Sequence, residues 1–251
     1  MSRVLLIAWD GADWRILDPL LEAGDLPNLQ TLIGRGQRAV LRSTIPTHSW
    51  SAWPSFLTGV DPGDHGVYDI LETVPGTHKQ YPVTFRSIKA RTFPSDLDAA
   101  GRTQLLLDIP LTFPPPAVRG GLLAGGVLPK NRTFTSPSDL PDTLRKAGLE
   151  WPINGMSWTT YRNKPDAYLD EAFDVTAKRV AASEWLMDNT DWDLMAGVGQ
   201  RRPHAARALE LRRAGSSGLR GEPDDAHRRE GPRHLQATRR CGRRVPVAIP
   251  R

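Results

Sequence analysis

The sequence predicts an α/β fold with a mostly parallel central sheet flanked by helices, and three observations carry that expectation. The run Val4-Leu5-Leu6-Ile7-Ala8-Trp9 is apolar without alternation, as in a central parallel strand buried on both faces. Strand-like and helix-like segments then take turns along residues 1–200, the pattern of a parallel sheet with crossover helices. Two later stretches, Thr103 to Ile109 and Asp191 to Val198, read as further strands of that sheet.

Taken in order, the first strand delivers Asp10 to its carboxyl end, where open α/β sheets collect their ligands. Asp13 to Ala23 carries Trp14, Leu17, Leu20 and Leu21 on one helical face and is stopped by Gly24. Asn28 to Ile33 is a second short helix ended by Gly34, and Gln37 to Arg42 reads as the second strand. Ile45-Pro46-Thr47 is a turn, because a residue before proline is driven to extended backbone. Trp50 to Leu57 is a short apolar helix closed by Thr58-Gly59. Phe93 to Ala100 is another helix, whereas Pro110 to Pro116 cannot continue a sheet, since its prolines supply no ladder donors. Leu122 to Val127 is a glycine-diluted strand, and Ser138 caps a helix that ends at Gly148. Tyr161 to Thr190 is the longest helix, with Leu169, Ala172, Phe173, Thr176, Val180 and Ala181 in its stripe and Pro165 in its first turn.

Chemistry concentrates at the mouth of the Trp50 helix, where Thr47, His48, Ser49 and Ser51 crowd together. A hydroxyl there lies near free backbone N–H groups and the positive end of the helix dipole, which favour an anion. That suits a nucleophile aimed at a phosphate or sulfate ester. The pattern Ser49-x-x-x-Trp53-x-Ser55-Phe56-x-Thr58-Gly59-x-x-Pro62-x-x-His65-Gly66 resembles the nucleophile segment of the type I phosphodiesterase/nucleotide pyrophosphatase family, within the alkaline phosphatase superfamily. Val4 to Gly11, followed by Leu26-Pro27-Asn28-Leu29, Leu32 and Gly36, resembles that family's first metal-ligand region. Pro110-Leu111-Thr112-Phe113-Pro114-Pro115 is similar to a loop of the same family, and the resemblance runs over roughly residues 1–200.

The resemblance implies an alkaline-phosphatase-like fold of which this chain carries the N-terminal part. It implies Asp10 as a metal ligand, Ser49 as nucleophile on the same metal, and two divalent ions, zinc by expectation with manganese as the alternative. The reaction would be two-step hydrolysis of a phosphate diester or nucleotide pyrophosphate, through a phosphoseryl intermediate. Plainer roles stand beside these. Asp10 also suits a turn or the cap of the helix near Asp13, and Ser49 suits an N-cap. On extended backbone His48 points opposite to Ser49, which makes it a loop residue rather than a base. Asp64-His65-Gly66 mimics a metal motif, but its place after the nucleophile helix matches a non-ligating His-Gly of the family.

Residues 201–251 differ in kind. They hold 14 Arg, no Lys, no Phe, Trp or Tyr and 5 acidic residues, a balance of +9, so residues 1–200 carry −4 of the chain's +5. Such a composition cannot bury enough surface to offset its ordering entropy, and it reads as a disordered or out-of-frame tail. His204 has Ala208 four residues on, where the family would place a second ligand, so residues 1–200 read as an incomplete phosphodiesterase domain with half an active site. No leader or spanning segment is recognisable, and the one cysteine, Cys241, fits a reducing, cytoplasmic setting. Expected partners are a small phosphate ester or nucleotide, with neither membrane nor nucleic acid, and the oligomeric state is left open. Two alternatives are carried. One is a sulfatase or phosphomutase chemistry of the same superfamily. The other is a non-catalytic binder of nucleic acid or acidic partners through the Arg-rich tail, against which the missing Lys and aromatics speak. Limited trypsin digestion is expected to strip the tail first and leave a core ending near residue 200; a tail as resistant as the sheet would refute the disorder.

Overall fold

The computed structural model describes residues 3–126, 133–153, 161 and 164–199; the expectations for the tail, for Val127 and for the two residues after Tyr161 lie outside them. The elements follow in the order β1 (Val4–Trp9), α1 (Trp14–Glu22), α2 (Pro27–Arg35), α3 (Ser49–Thr58) and α4 (Pro62–His65). Then come β2 (Leu71–Thr73), β3 (Gln80–Pro82), α5 (Phe93–Ala99), β4 (Gln104–Pro110), β5 (Gly120–Gly125) and β6 (Thr135–Ser136). The described part closes with α6 (Leu140–Lys146), α7 (Pro165–Asn189) and β7 (Leu194–Gly199). Five strands form one sheet in the order β1-β7-β4-β5-β6, parallel except for the β5–β6 pair. The predicted mostly parallel α/β architecture is the one observed.

Packing has two sides. Leu106, Ile109, Leu122, Ala124, Ala196 and Val198 meet Trp53 and Leu57 of α3 on one face. Leu105, Leu107, Leu123 and Met195 meet Leu140 and Leu144 of α6 and Ala182 and Leu186 of α7 on the other. The β4 run is thus a strand buried on both faces, as its unbroken apolar composition requires.

Several expectations are corrected. Among the described residues β1 is not central: β7 inserts between β1 and β4, pairing Leu194 with Val4 on one side and with Gln104 on the other, and β1 is the outermost strand of the five. Its Leu6 and Ala8 pack toward the α3 layer, while Leu5, Ile7 and Trp9 stay 48%, 65% and 45% exposed. Gln37 to Arg42 forms no strand. The indole N–H of Trp14 donates to Ala39 O at 3.2 Å and Arg38 stacks on Trp14 at 3.9 Å, so α1 holds this segment and the sheet does not. Gly34 lies inside α2, which runs on to Arg35. The α6 N-cap is Asp139 rather than Ser138, and Pro110 is the last residue of β4 rather than the first after it.

A β-bulge interrupts β4 between Leu107 and Ile109, with Asp108 at φ 60. Only glycine fits opposite it: a Cβ on Gly125 would stand 2.2 Å from Asp108 O. The bulge turns the Asp108 carboxylate to the α7 side, where Arg179 Nη1 donates to it at 2.6 Å and Nη2 donates to Pro152 O at 2.9 Å. Both side chains are nearly or wholly buried, so this ion pair is shielded from solvent. Breaking such a pair from one side costs far more than breaking an exposed one. Arg179→Ala is expected to lose about 3–5 kcal/mol in chemical denaturation. Lys178→Ala, which removes the exposed pairs to Asp174 and Glu150, should lose no more than about 1 kcal/mol.

Candidate active site

Two elements converge at the carboxyl end of β1. Asp10 follows the last residue of the strand, and α3 begins with Ser49, seated on the sheet by Leu57, which is completely buried. The Ser49 hydroxyl donates to Asp10 Oδ1 at 3.2 Å. Residues 39 positions apart are thereby joined, well within the reach of one shared cation. Asp10 is free for this contact because Asp13 caps α1 itself, accepting from Arg15 N at 2.8 Å. Hydrogen bonds from the Arg15 guanidinium and backbone hold the Asp13 carboxyl down to about 2.

Ser49 is the first residue of α3 and not its cap. The N-cap is His48, whose Nδ1 accepts from Trp50 N at 3.2 Å. In the neutral ring the proton therefore sits on Nε2, which faces Asp69 Oδ1 at 4.0 Å. Neither nitrogen is turned to Ser49, in keeping with a loop role for His48. Ser51 is fully buried and ties the preceding loop to the helix, its one hydroxyl proton shared between Pro46 O at 2.8 Å and His48 O at 2.9 Å. Its hydroxyl also meets Thr44 Oγ1 at 3.2 Å. Sequence reading placed Ser51 near the site without a task, and it missed Thr44 and Asp69. The hydroxyls at 44 and 51 bracket Pro46 and were the available signal; nothing local foretold Asp69.

His65 has no vacant nitrogen for a metal. Its Nδ1 accepts from Val67 N at 3.2 Å, so Nε2 carries the proton toward Ser55 Oγ at 2.9 Å. The ring is fully buried beneath α3 and joins α4 to that helix. The non-ligating reading of Asp64-His65-Gly66 fits this geometry.

Asp10 and Ser49 supply oxygen donors of the kind a zinc or manganese ion accepts. In number they fall short, since a protein zinc site takes at least three ligands. Among the described residues no group of three or more His, Cys, Asp or Glu comes together to hold a metal.

Burial pushes the His65 imidazole below its ordinary value, against weaker opposition from its hydrogen bonds and from Asp61 and Asp64. The unfolded chain binds the proton more readily, so the stabilisation is whole above about pH 6.5 and declines as the pH falls below it. The denaturation midpoint should therefore drop between neutral and mildly acidic pH, and the slope should flatten in His65→Gln. An unchanged slope in that variant would remove His65 as its cause.

The profile of the type I phosphodiesterase/nucleotide pyrophosphatase family matches residues 4–201. No curated protein matches the chain. Among solved structures, it is similar to phosphonoacetate hydrolase from Sinorhizobium meliloti 1021 in complex with phosphonoacetate, at 18% identity and a TM-score of 0.51. That match covers 84% of this chain and 51% of the hydrolase, so the chain spans about half the length of its structural relative. At this identity the likeness speaks for the fold. The family profile reaches from the first residue of β1 past the end of β7 and takes in Asp10, Ser49 and the whole parallel sheet, and on that match the chain belongs to the type I phosphodiesterase/nucleotide pyrophosphatase family.

Proposed function

We propose that this chain carries the nucleophile half of a metal-dependent hydrolase of phosphate diesters or nucleotide pyrophosphates. The single observation that carries the reading is the Ser49–Asp10 contact at the head of α3, within the family match. Asp10 and Ser49 would together hold one divalent ion, zinc or manganese. When bound, a pair of such ions supplies Lewis-acid charge that lowers the pKa of a hydroxyl and neutralises phosphoryl oxygens. Ser49 Oγ attacks phosphorus as its proton passes to Asp10 Oδ1 along their hydrogen bond, the P–O bond to the leaving alcohol or nucleotide breaks in line, and the leaving oxygen takes up a proton from water. Asp10 orients the hydroxyl, and the positive end of α3 favours the charge gathering beside it. Water then cleaves the phosphoseryl ester and restores Ser49.

The ligands beyond these two would come from polypeptide outside the described residues. The abrupt composition change at residue 201 supports reading 201–251 as translated out of frame. In that case sequencing across codons 195–205 would reveal a single-base correction that restores a ligand motif.

Bis-p-nitrophenyl phosphate with added zinc or manganese tests the proposal. The 251-residue chain should turn it over little or not at all, because loss of ligands that contact the metal exceeds the ~10–100-fold cost of losing their supporting partners. A frame-restored version should hydrolyse it, and Ser49→Ala should abolish that activity with the fold intact. Activity that survives Ser49→Ala would overturn the assignment of the nucleophile.

A further inference from the structure

We infer, on the reading of Ser49 as the reacting hydroxyl, that Ile70 and Tyr81 select the substrate: a phosphate diester with an uncharged aryl or alkyl substituent, in preference to a nucleotide pyrophosphate. The β2–β3 hairpin and the residues that flank it adjoin the head of α3 in two places. Trp50, the residue after Ser49, packs against the buried cluster of Val67, Val83 and Leu111. Asp69 Oδ1 stands 4.0 Å from Nε2 of His48, the residue before Ser49. Leu111 follows the last residue of β4, and a Cβ on Gly126, which follows β5, would stand 3.8 Å from the Trp50 ring. The hairpin therefore borders α3 on its β4–β5 side and not at β1.

The pairing register decides which hairpin side chains share the face toward α3. Glu72 lies across from Tyr81, and Val83 N donates to Ile70 O at 2.9 Å, which continues the register and sets Ile70 across from Val83. Residues opposite one another share a face, as do residues two apart along a strand, so Ile70, Glu72, Tyr81 and Val83 lie on one side. Val83, buried against Trp50, marks that side as the one toward the head of α3. Ile70 and Tyr81 nevertheless stay 37% and 44% exposed. Two large apolar side chains are thus held open on a face continuous with the neighbour of Ser49. A group carried on phosphorus that extends along this face meets Ile70 first and Tyr81 next, with Lys79 at the hairpin tip beyond both. The charged side chains before Tyr81, Asp69 and Glu72, are carboxylates, and Glu72 is fixed by the Ser87 hydroxyl at 2.5 Å. In a nucleotide pyrophosphate the second phosphate follows the first through a single oxygen and meets that carboxylate stretch, and like charges so placed select against it. An aryl or alkyl group meets apolar surface instead, and the Tyr81 ring offers an aromatic one its face or edge.

Binding to the 251-residue chain, with no metal added, tests this selection apart from hydrolysis. Diphenyl phosphate and ADP are each titrated into the chain while the isoleucine methyl and tyrosine ring signals are followed by NMR. Diphenyl phosphate should shift the signals of Ile70 and Tyr81 and bind about 10-fold or more tightly than ADP. Ile70→Ser and Tyr81→Ser should each weaken its binding by ~10-fold, whereas Tyr81→Phe, which keeps the ring, should not. Both positions are exposed, and circular dichroism checks that the variants fold. ADP bound as tightly as diphenyl phosphate overturns the selection. Binding that shifts neither side chain, or that survives both serine variants, overturns the wall and places the substituent elsewhere. No binding of diphenyl phosphate at millimolar concentration overturns it as well. Since no catalytic step enters the readout, a failed bis-p-nitrophenyl phosphate assay bears on Ser49 alone.

Discussion

A parallel strand cannot be joined to its neighbour by a tight turn, so each connection must cross over a face of the sheet and cover it. β4 is where this chain meets that constraint most fully. Leu105 and Leu107 point to α6 and α7, Leu106 and Ile109 point to α3, and all four are shut off from solvent. With both faces of β4 committed, the position of α3 is fixed by where Leu57 and Trp53 can enter the layer. Ser49 then stands at the carboxyl end of the sheet as a consequence. The candidate site is thus set up by apolar packing one and two helical turns away from the hydroxyl.

The loop leading into α3 shows the complementary, polar part of the same arrangement. Thr44, Pro46, His48 and Ser51 form a closed set of hydrogen bonds around the helix entrance. Ser51, wholly buried, satisfies its hydroxyl on two backbone carbonyls and so pins the residue two positions after the nucleophile. His48 closes the helix end with its ring nitrogen, a task more often given to Ser, Thr, Asp or Asn. The hydroxyl of Ser49 is thereby left to Asp10.

What was legible in the sequence follows from the range of the forces involved. α1, α5 and α3 announce themselves locally through stripe, cap and glycine stop, and the structure keeps them within a residue or two. The Asp10–Ser49 pairing was legible only through the spacing of two motifs, since no local rule brings residues so far apart together. The place of β1 was not legible. An unbroken apolar run reports which faces a strand is able to bury, while its neighbours depend on β7, which arrives almost at the end of the described chain. Gln37 to Arg42 misled for a related reason: Val40 and Leu41 have strand-like side chains, yet the indole of Trp14 and the carboxylate of Asp18 offer that segment nearer partners than any strand. The β2–β3 hairpin, three residues to a strand, has too little pattern to be read.

The bulge at Asp108 carries a consequence for how this sequence can vary. Asp108 sits in left-handed backbone, Gly125 is forced by its carbonyl, and Arg179 answers its buried charge. A side chain at 125 needs the bulge removed; removal swings the carboxylate off its guanidinium; an orphaned guanidinium then favours an apolar residue at 179. Three positions on three different elements therefore behave as one heritable unit. Descent can carry the set forward whole or replace it whole, and chimeras that cut between β4 and α7 would mix two incompatible versions of it.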